Sequence, residues 1–195
     1  MKIQFPNIAI VGTGAMGRGI AQIAAQAGSQ VFLLDANPGA ADAARAALQE
    51  QWNKLVAKGR IEADQATALT ARLHPVTTVA QLAACDLVVE AIVERLDAKQ
   101  ALFVELEGVV RADAVLATNT SSLSVTAIGA SLKHPERLAG FHFFNPVPLM
   151  KVVEVIAGLK TDPSICTALA AYAKAMGHTP VQAQDTPGFI VNHAG

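Results

Sequence analysis

Near its start the chain reads Asn7-Ile8-Ala9-Ile10-Val11 and then Gly12-Thr13-Gly14-Ala15-Met16-Gly17. The first run is short and apolar and ends at a glycine, which is typical of a buried β-strand. From Ala15 to Ala27 the apolar residues recur at helical spacing, and Gly28 ends the pattern. Three glycines therefore occupy a turn between a strand and a helix, and this turn decides the fold.

Each glycine has a separate task in such a turn. Gly12 allows the tight turn, Gly14 lets a pyrophosphate approach the backbone, and Gly17 lets the helix pack close to the strand. The backbone N–H groups and the positive dipole end at the helix start then face the phosphates. The pattern predicts a dinucleotide-binding turn, and an ordinary strand–helix turn is the alternative.

A carboxylate follows the second predicted strand. Asp35 ends the run 30–34 and lies 18 residues beyond Gly17. A carboxylate at this spacing accepts hydrogen bonds from both ribose hydroxyls and repels a 2′-phosphate, so the sequence favours NAD over NADP. The alternative interpretation is a surface aspartate with no ligand.

Strands and helices alternate along most of the chain. We predict strands at 7–11, 30–34, 76–78, 86–91, 115–118, 138–143, 152–156 and 179–182. We predict helices at 15–27, 38–58, 62–73, 97–110, 125–131 and 162–176. Apolar strands separated by helices indicate an α/β fold with a mainly parallel sheet that is covered on both faces.

Composition limits the classes of partner. The chain has 195 residues, 52% of them hydrophobic, and a net charge of −1, so we expect one domain and neither a nucleic-acid nor a membrane partner. Lys54, Lys58 and Arg60 form a local basic group, which by default is a solvated helix face. The first apolar run is too short to span a membrane, so a cytoplasmic protein is expected.

The two cysteines have no metal-binding or disulfide spacing. Cys85 and Cys166 lie in apolar surroundings far apart in the sequence, and buried thiols are the expectation. No metal site is predicted.

Two residues suggest acid–base chemistry. His142 lies near the end of an apolar strand, and Glu154 follows twelve residues later inside Val152-Val153-Glu154-Val155-Ile156. The loop Asn145-Pro146-Val147-Pro148 between them could place the two strands side by side. A neutral imidazole can take a hydroxyl proton, and a carboxylate can orient it and stabilise the imidazolium. The alternative is a core histidine and an outward-facing glutamate.

Other polar residues have simpler alternatives. Ser121 follows a strand, where a turn hydroxyl or a helix cap is common, and Asn192 could cap the start of a helix. The remaining histidines lie beside prolines or in loops and are expected at the surface; they are His74, His134, His178 and His193.

Three segments together resemble the 3-hydroxyacyl-CoA dehydrogenase family, which includes 3-hydroxybutyryl-CoA dehydrogenases. They are Asn119-Thr120-Ser121-Ser122-Leu123, the stretch from Gly140 to Met150 around His142-Phe143-Phe144-Asn145-Pro146, and Asp185-Thr186-Pro187-Gly188-Phe189-Ile190-Val191-Asn192. The resemblance covers nearly the whole chain. It implies a Rossmann-type, doubly wound domain that binds NAD, and transfer of a hydride between an (S)-3-hydroxyacyl-CoA and NAD.

The resemblance also implies roles for single residues. The catalytic group would be His142, Glu154, Ser121 and Asn192. The cofactor contacts would be Gly12, Gly14, Ala15, Met16, Gly17, Asp35, Glu94, Lys99, Ser121 and Asn145. Lys58 would meet the phosphates of coenzyme A.

The family has a second, helical domain that this sequence lacks. We expect residues 1–186 to form the NAD-binding domain and 187–195 to begin the connection to that domain, which in a full-length protein would form a homodimer. Two alternatives to the acyl-CoA dehydrogenase stay open. One is an NAD-binding module that is inactive by itself, and the other is a dehydrogenase of a sugar acid or a free 3-hydroxy acid.

Overall fold

The computed structural model of the chain describes residues 4–185. Its strands are β1 (Asn7–Val11), β2 (Gln30–Leu34), β3 (Leu73–Pro75), β4 (Leu87–Glu90), β5 (Val115–Thr118), β6 (Leu138–Phe143), β7 (Val152–Ala157) and β8 (Thr179–Gln184). Its α-helices are α1 (Ala15–Ala27), α2 (Ala40–Ala57), α3 (Ala63–Ala71), α4 (Leu96–Glu107), α5 (Val125–Gly129) and α6 (Pro163–Ala175).

The strands form one sheet in the order β3-β2-β1-β4-β5-β6-β7-β8. Neighbouring strands are parallel except β6 and β7, which are antiparallel. The first six strands have the order of the doubly wound dinucleotide-binding fold. The predicted α/β class and the mainly parallel sheet are therefore confirmed.

Both faces of the sheet are covered, because successive side chains of a strand point to opposite sides. In β1, Ile8 and Ile10 belong to a core that includes Trp52 of α2, whereas Ala9 belongs to a second core that includes Phe103 of α4. Trp52 and Phe103 are fully buried, and burying an aromatic side chain of this size contributes about 2–3 kcal/mol. The sheet is therefore buried on both faces, and a ligand site can lie only beyond the ends of its strands.

The strand predicted at 76–78 and the helix predicted at 62–73 are wrong in their bounds. Helix α3 ends at Ala71, and β3 begins at Leu73, which pairs with Val31 of β2 and is buried. Pro75 closes this strand instead of preceding it. A proline is tolerated there because β3 is an edge strand and needs no donor on its outer side.

The carboxyl ends of β1, β4, β5 and β6 reach one edge of the sheet, and the antiparallel β7 starts at that edge. The strand order reverses at β1, which lies between β2 and β4. Open α/β sheets bind ligands at this switch point, outside the carboxyl ends of the strands.

Candidate active site

The glycine turn lies at the switch point, directly after β1. Gly12 has φ +98°, and a Cβ there would come within 2.4 Å of the carbonyl oxygen of Ala91. A Cβ on Gly17 would come within 1.7 Å of the carbonyl oxygen of Gly12, so α1 could not pack so closely with a side chain at this position. A Cβ on Gly14 would have nothing within 4 Å. The tight turn and the close packing are thus present, and the space at Gly14 is open.

Asp35 joins the end of β2 to the glycine turn. Its Oδ2 accepts hydrogen bonds from the backbone N–H of Thr13 at 2.8 Å and from its hydroxyl at 2.7 Å, and its Oδ1 accepts one from Asn37. Burial raises the pKa of Asp35, but the hydrogen bonds from Asn37 and Thr13 outweigh it and hold the pKa below its usual value. An ionised carboxylate therefore borders the turn, as contact with a ribose requires.

His142 and Glu154 are opposite residues of the antiparallel pair β6–β7. Side chains of opposite residues project from the same face of a sheet. His142 Nδ1 lies 2.7 Å from Glu154 Oε1, the glutamate is fully buried, and the imidazole is almost so. The ring of Phe144 lies against the imidazole, with centroids 4.5 Å apart. The contact expected from the sequence is present; its catalytic use stays a prediction.

A buried ion pair lies beneath the site, and one of its members, Glu90, was not predicted from the sequence. Glu90, the last residue of β4, has no exposed surface and pairs with the ammonium group of Lys99 on α4. Its carboxylate also accepts hydrogen bonds from Ile92 N–H at 2.8 Å and from the Thr118 hydroxyl at 2.6 Å. The available signal was a carboxylate that ends an apolar strand at the ligand-binding edge.

Glu94 links this ion pair to the loop after β5. Its Oε1 lies 3.3 Å from Lys99 Nζ and accepts a hydrogen bond from the Thr120 hydroxyl. Its Oε2 accepts hydrogen bonds from both the backbone N–H and the hydroxyl of Ser121. Burial raises the pKa of Glu94, but hydrogen bonds from Ser121 and Thr120 and the charge of Lys99 together lower it below its usual value.

The proline-rich loop 145–148 is held from two sides. Val147 is buried, and a Cβ on Gly19 of α1 would lie 2.8 Å from its side chain. His178 Nε2 lies 3.0 Å from the carbonyl oxygen of Val147, and its ring packs edge-on against Phe143. The prediction of a surface histidine at 178 is wrong, because only 3% of this residue is exposed. Its burial arises from loop contacts that local sequence does not encode.

These elements enclose a pocket of about 310 Å³. Asn119 closes one side, since its Oδ1 accepts a hydrogen bond from the backbone N–H of Phe143 at 2.9 Å. Six of the residues predicted from the sequence line this pocket: Met16, Glu94, Lys99, Ser121, His142 and Asn145. Asp35 and Lys58 are not among the lining residues, and Lys58 is exposed after the end of α2. Asn192 and His193 lie outside the described residues.

Asp185 follows β8 and holds the start of α5. Its Oδ1 accepts a hydrogen bond from Val125 N–H, and its Oδ2 accepts hydrogen bonds from Thr126 N–H and the Ser124 hydroxyl. Burial raises the pKa of Asp185, but these hydrogen bonds outweigh it and lower the pKa below its usual value. This carboxylate thus ties the end of β8 to the start of α5.

A family profile described as "3-hydroxyacyl-CoA dehydrogenase, NAD binding domain" matches residues 7–186. The chain belongs to this family. It is a dinucleotide-binding domain of the Rossmann type, and its cofactor is NAD.

Several relatives of this family member have names that agree with one another. The chain is 45% identical over 192 residues to a 3-hydroxyadipyl-CoA dehydrogenase of Escherichia coli, with 98% of this chain and 40% of the relative covered. It is 40% identical over 190 residues to a probable 3-hydroxybutyryl-CoA dehydrogenase of Bacillus subtilis, with 97% of this chain and 66% of the relative covered. The chain therefore spans about two fifths to two thirds of the length of these relatives.

Solved structures show the same fold. A 3-hydroxybutyryl-CoA dehydrogenase from Escherichia coli superimposes with a TM-score of 0.93 at 44% identity, covering 98% of this chain and 40% of that one. An (S)-3-hydroxybutyryl-CoA dehydrogenase from Ralstonia eutropha superimposes with a TM-score of 0.92 at 35% identity, covering 97% of this chain and 67% of that one.

Residues 4–185 contain neither a candidate metal site nor a helix that could span a membrane. In that range no three His, Cys, Asp or Glu side chains are grouped so that they could hold a metal ion. Nor does any helix there have the length and apolar character needed to cross a membrane. Cys85 and Cys166 are buried thiols, as expected. Burial raises the pKa of Cys85 to about 12, which leaves this thiol unreactive.

Proposed function

We propose that the chain is the cofactor-binding part of a dehydrogenase that transfers a hydride between an (S)-3-hydroxyacyl-CoA and NAD, giving the 3-oxoacyl-CoA. The contact of His142 with Glu154, at the wall of a pocket that Ser121 also lines, carries this proposal. The names of the relatives agree with it. The domain boundary near residue 186, the cytoplasmic location and the dimer of a longer protein remain predictions.

The residues at the switch point fit a dinucleotide. Gly14 leaves open the space that a side chain would fill, and it precedes the first turn of α1, where N–H groups point outward. Asp35 places an ionised carboxylate beside the turn. The cofactor, when bound, accepts the hydride.

His142 is arranged to take the hydroxyl proton of the substrate. Glu154 is a carboxylate that only accepts hydrogen bonds, so the Nδ1 of a neutral His142 carries the proton of their contact, and Nε2 carries the lone pair. Nε2 is therefore the atom that receives the proton during oxidation. Glu154 then stabilises the imidazolium, since a buried charge pair is stronger than one in water.

In this proposal Ser121 contacts the reacting end of the substrate and Lys58 contacts its coenzyme A end. The Ser121 hydroxyl donates to Glu94, and rotation about its χ1 angle would redirect the proton to a substrate oxygen. Lys58 is exposed near Lys54, and two ammonium groups at the end of α2 suit an anionic coenzyme A. We expect Lys58→Ala to raise the KM for the acyl-CoA and to leave kcat unchanged.

The test follows NADH formation from an (S)-3-hydroxybutyryl-CoA. We expect His142→Gln to lower kcat by on the order of 10²–10⁴-fold, because a positioned general base contributes that much. Glu154→Gln keeps an acceptor for Nδ1 but removes the charge, which costs about 1–3 kcal/mol and lowers kcat about 5- to 150-fold. His134→Gln, at an exposed histidine, is the matched control and should change nothing.

Two results would contradict the proposal. An unchanged rate for His142→Gln would exclude the proton-transfer step. Binding of NAD without turnover of any 3-hydroxyacyl-CoA would select the alternative, a nucleotide-binding module that is inactive by itself. Turnover of a free 3-hydroxy acid, with no competition by coenzyme A, would point instead to a different substrate class.

A further inference from the structure

The buried cluster of Glu90, Lys99 and Glu94 has no role in the proton transfer described above. Glu90 has no exposed surface, and Lys99 is only 1% exposed. Ion pairs buried this deeply contribute little net stability, because desolvating the charges offsets their attraction. The cluster therefore calls for a functional explanation.

Hydrogen bonding sets the charge of both carboxylates. Glu90 accepts from the ammonium of Lys99, from Ile92 N–H and from the Thr118 hydroxyl, so each of its contacts is with a donor. Glu94 likewise accepts from Lys99, from Thr120 and from Ser121. A carboxyl group that only accepts hydrogen bonds is ionised.

The cluster consequently carries two negative charges and one positive charge. Lys99 is the one lysine or arginine among the residues that line the pocket, within the described part of the chain. Glu154 adds a further carboxylate, in contact with His142. The charges near this pocket therefore sum to a negative value. Removing the charge of Glu90 would leave the positive charge of Lys99 balanced by the negative charge of Glu94.

The two forms of the cofactor differ by one charge at the reacting ring. The nicotinamide is cationic in NAD⁺ and neutral in NADH. If His142 takes the proton from the hydroxyl on the carbon that yields the hydride, the nicotinamide end must enter the pocket that His142, Glu94 and Lys99 share. A negative sum of charge in that pocket attracts the cationic ring and gives no such attraction to the neutral one.

We infer that the cluster makes the site selective for the oxidised cofactor, and that Glu90 is the residue on which this selectivity depends. The inference rests on the proposed function, because hydride transfer beside His142 is what places the nicotinamide there. Glu90 is a positioning residue, since it acts through Lys99 and the field of the cluster. Its effect is to strengthen NAD⁺ binding relative to NADH and so to favour release of the reduced product.

The test compares two dissociation constants and needs no turnover. Binding of NADH to the 195-residue chain is measured by its fluorescence, and binding of NAD⁺ is measured by calorimetry. We expect Glu90→Gln to lower the ratio Kd(NADH)/Kd(NAD⁺) by about tenfold, the size of a charge interaction across several ångströms of partly screened interior. If Glu90 had a purely structural role, its substitution would weaken the binding of both nucleotides by the same factor and leave the ratio unchanged.

Two controls separate charge from packing. Glu105→Gln removes an equal charge from an exposed position on α4, the helix that carries Lys99, and should leave both constants unchanged. Thr118→Val removes a hydrogen bond to Glu90 without changing the charge, so it should leave the ratio unchanged. If Glu90→Gln does not fold, Glu94→Gln serves instead, because Glu94 is partly exposed and its substitution removes one negative charge from the same cluster.

The outcomes distinguish this inference from the proposed function. A lower ratio in Glu90→Gln or Glu94→Gln supports the inference, even in a chain that shows no turnover. An unchanged ratio with both nucleotides bound overturns the inference alone. Failure of the unaltered chain to bind either nucleotide overturns the inference together with the proposed function.

Discussion

Replacing Gly14 by alanine should separate cofactor binding from folding. Gly14 has φ −68° and ψ −166°, which any residue can adopt, and an added Cβ would meet nothing within 4 Å. The substitution Gly14→Ala therefore removes no contact from the folded chain and introduces no clash. The added methyl group would occupy the open space in front of the first turn of α1, where the pyrophosphate is expected to bind.

The two magnitudes follow from this geometry. A substitution at an exposed position without contacts changes the free energy of unfolding by less than about 0.5 kcal/mol. Displacing the pyrophosphate from one backbone N–H removes a charge-assisted hydrogen bond worth about 1.5–3 kcal/mol. We therefore expect the Kd for NAD to rise about 10- to 150-fold while stability stays the same.

Calorimetry measures the Kd, and urea unfolding without ligand measures stability. Gly59→Ala is the control with the opposite pattern, because Gly59 has φ +71° and also has nothing within 4 Å of an added Cβ. It should cost about 1–2 kcal/mol of stability and leave NAD affinity unchanged. An unchanged Kd in Gly14→Ala, or a loss of stability like that of Gly59→Ala, would refute the reasoning about the turn.

Two further predictions concern stability and are measured by urea unfolding. Asp185→Asn should cost about 1 kcal/mol at neutral pH, because the ionised carboxylate accepts three hydrogen bonds at α5. The pKa of Asp185 in the folded chain lies below its usual value of 3.8, so the carboxylate stabilises the fold above that pH and ceases to do so as the pH falls through the folded pKa. The difference in free energy of unfolding between Asp185→Asn and the unaltered chain should therefore shrink at low pH. A constant difference would contradict this. His178→Ala should cost about 2–3 kcal/mol through a cavity beside Phe143 and an unsatisfied Val147 carbonyl. His134→Ala, at an exposed position, is its control, and equal losses in the two variants would show that the burial of His178 has no energetic effect.

Features that depend on residues close together in the sequence could be predicted from it. The glycine turn, the alternation of strands and helices, and the end of β2 at Asp35 depend on residues close together in the chain. The pairing of His142 with Glu154 could also be anticipated, since a proline-rich loop separates two apolar runs. Local sequence carries these features because each follows from backbone geometry or from side-chain periodicity.

Features that depend on distant contacts could not be predicted. His178 is buried by a loop thirty residues earlier in the chain, and no neighbour in sequence indicates that contact. The bounds of β3 do not follow from local sequence, because Pro75 resembles a stop signal and is accepted in a strand only where that strand lies at the edge of the sheet. Glu90 is different, because a carboxylate in an apolar strand is visible in the sequence, as it is at Glu154.

The antiparallel pairing of β6 with β7 has a consequence for how this domain can vary. Four consecutive residue pairs set the alignment, from Gly140 with Ile156 to Phe143 with Val153. Sliding one strand by a single step would replace the carboxylate opposite the imidazole with a valine and turn every side chain to the other layer. An insertion or deletion within either paired segment would therefore separate the carboxylate of Glu154 from the imidazole of His142.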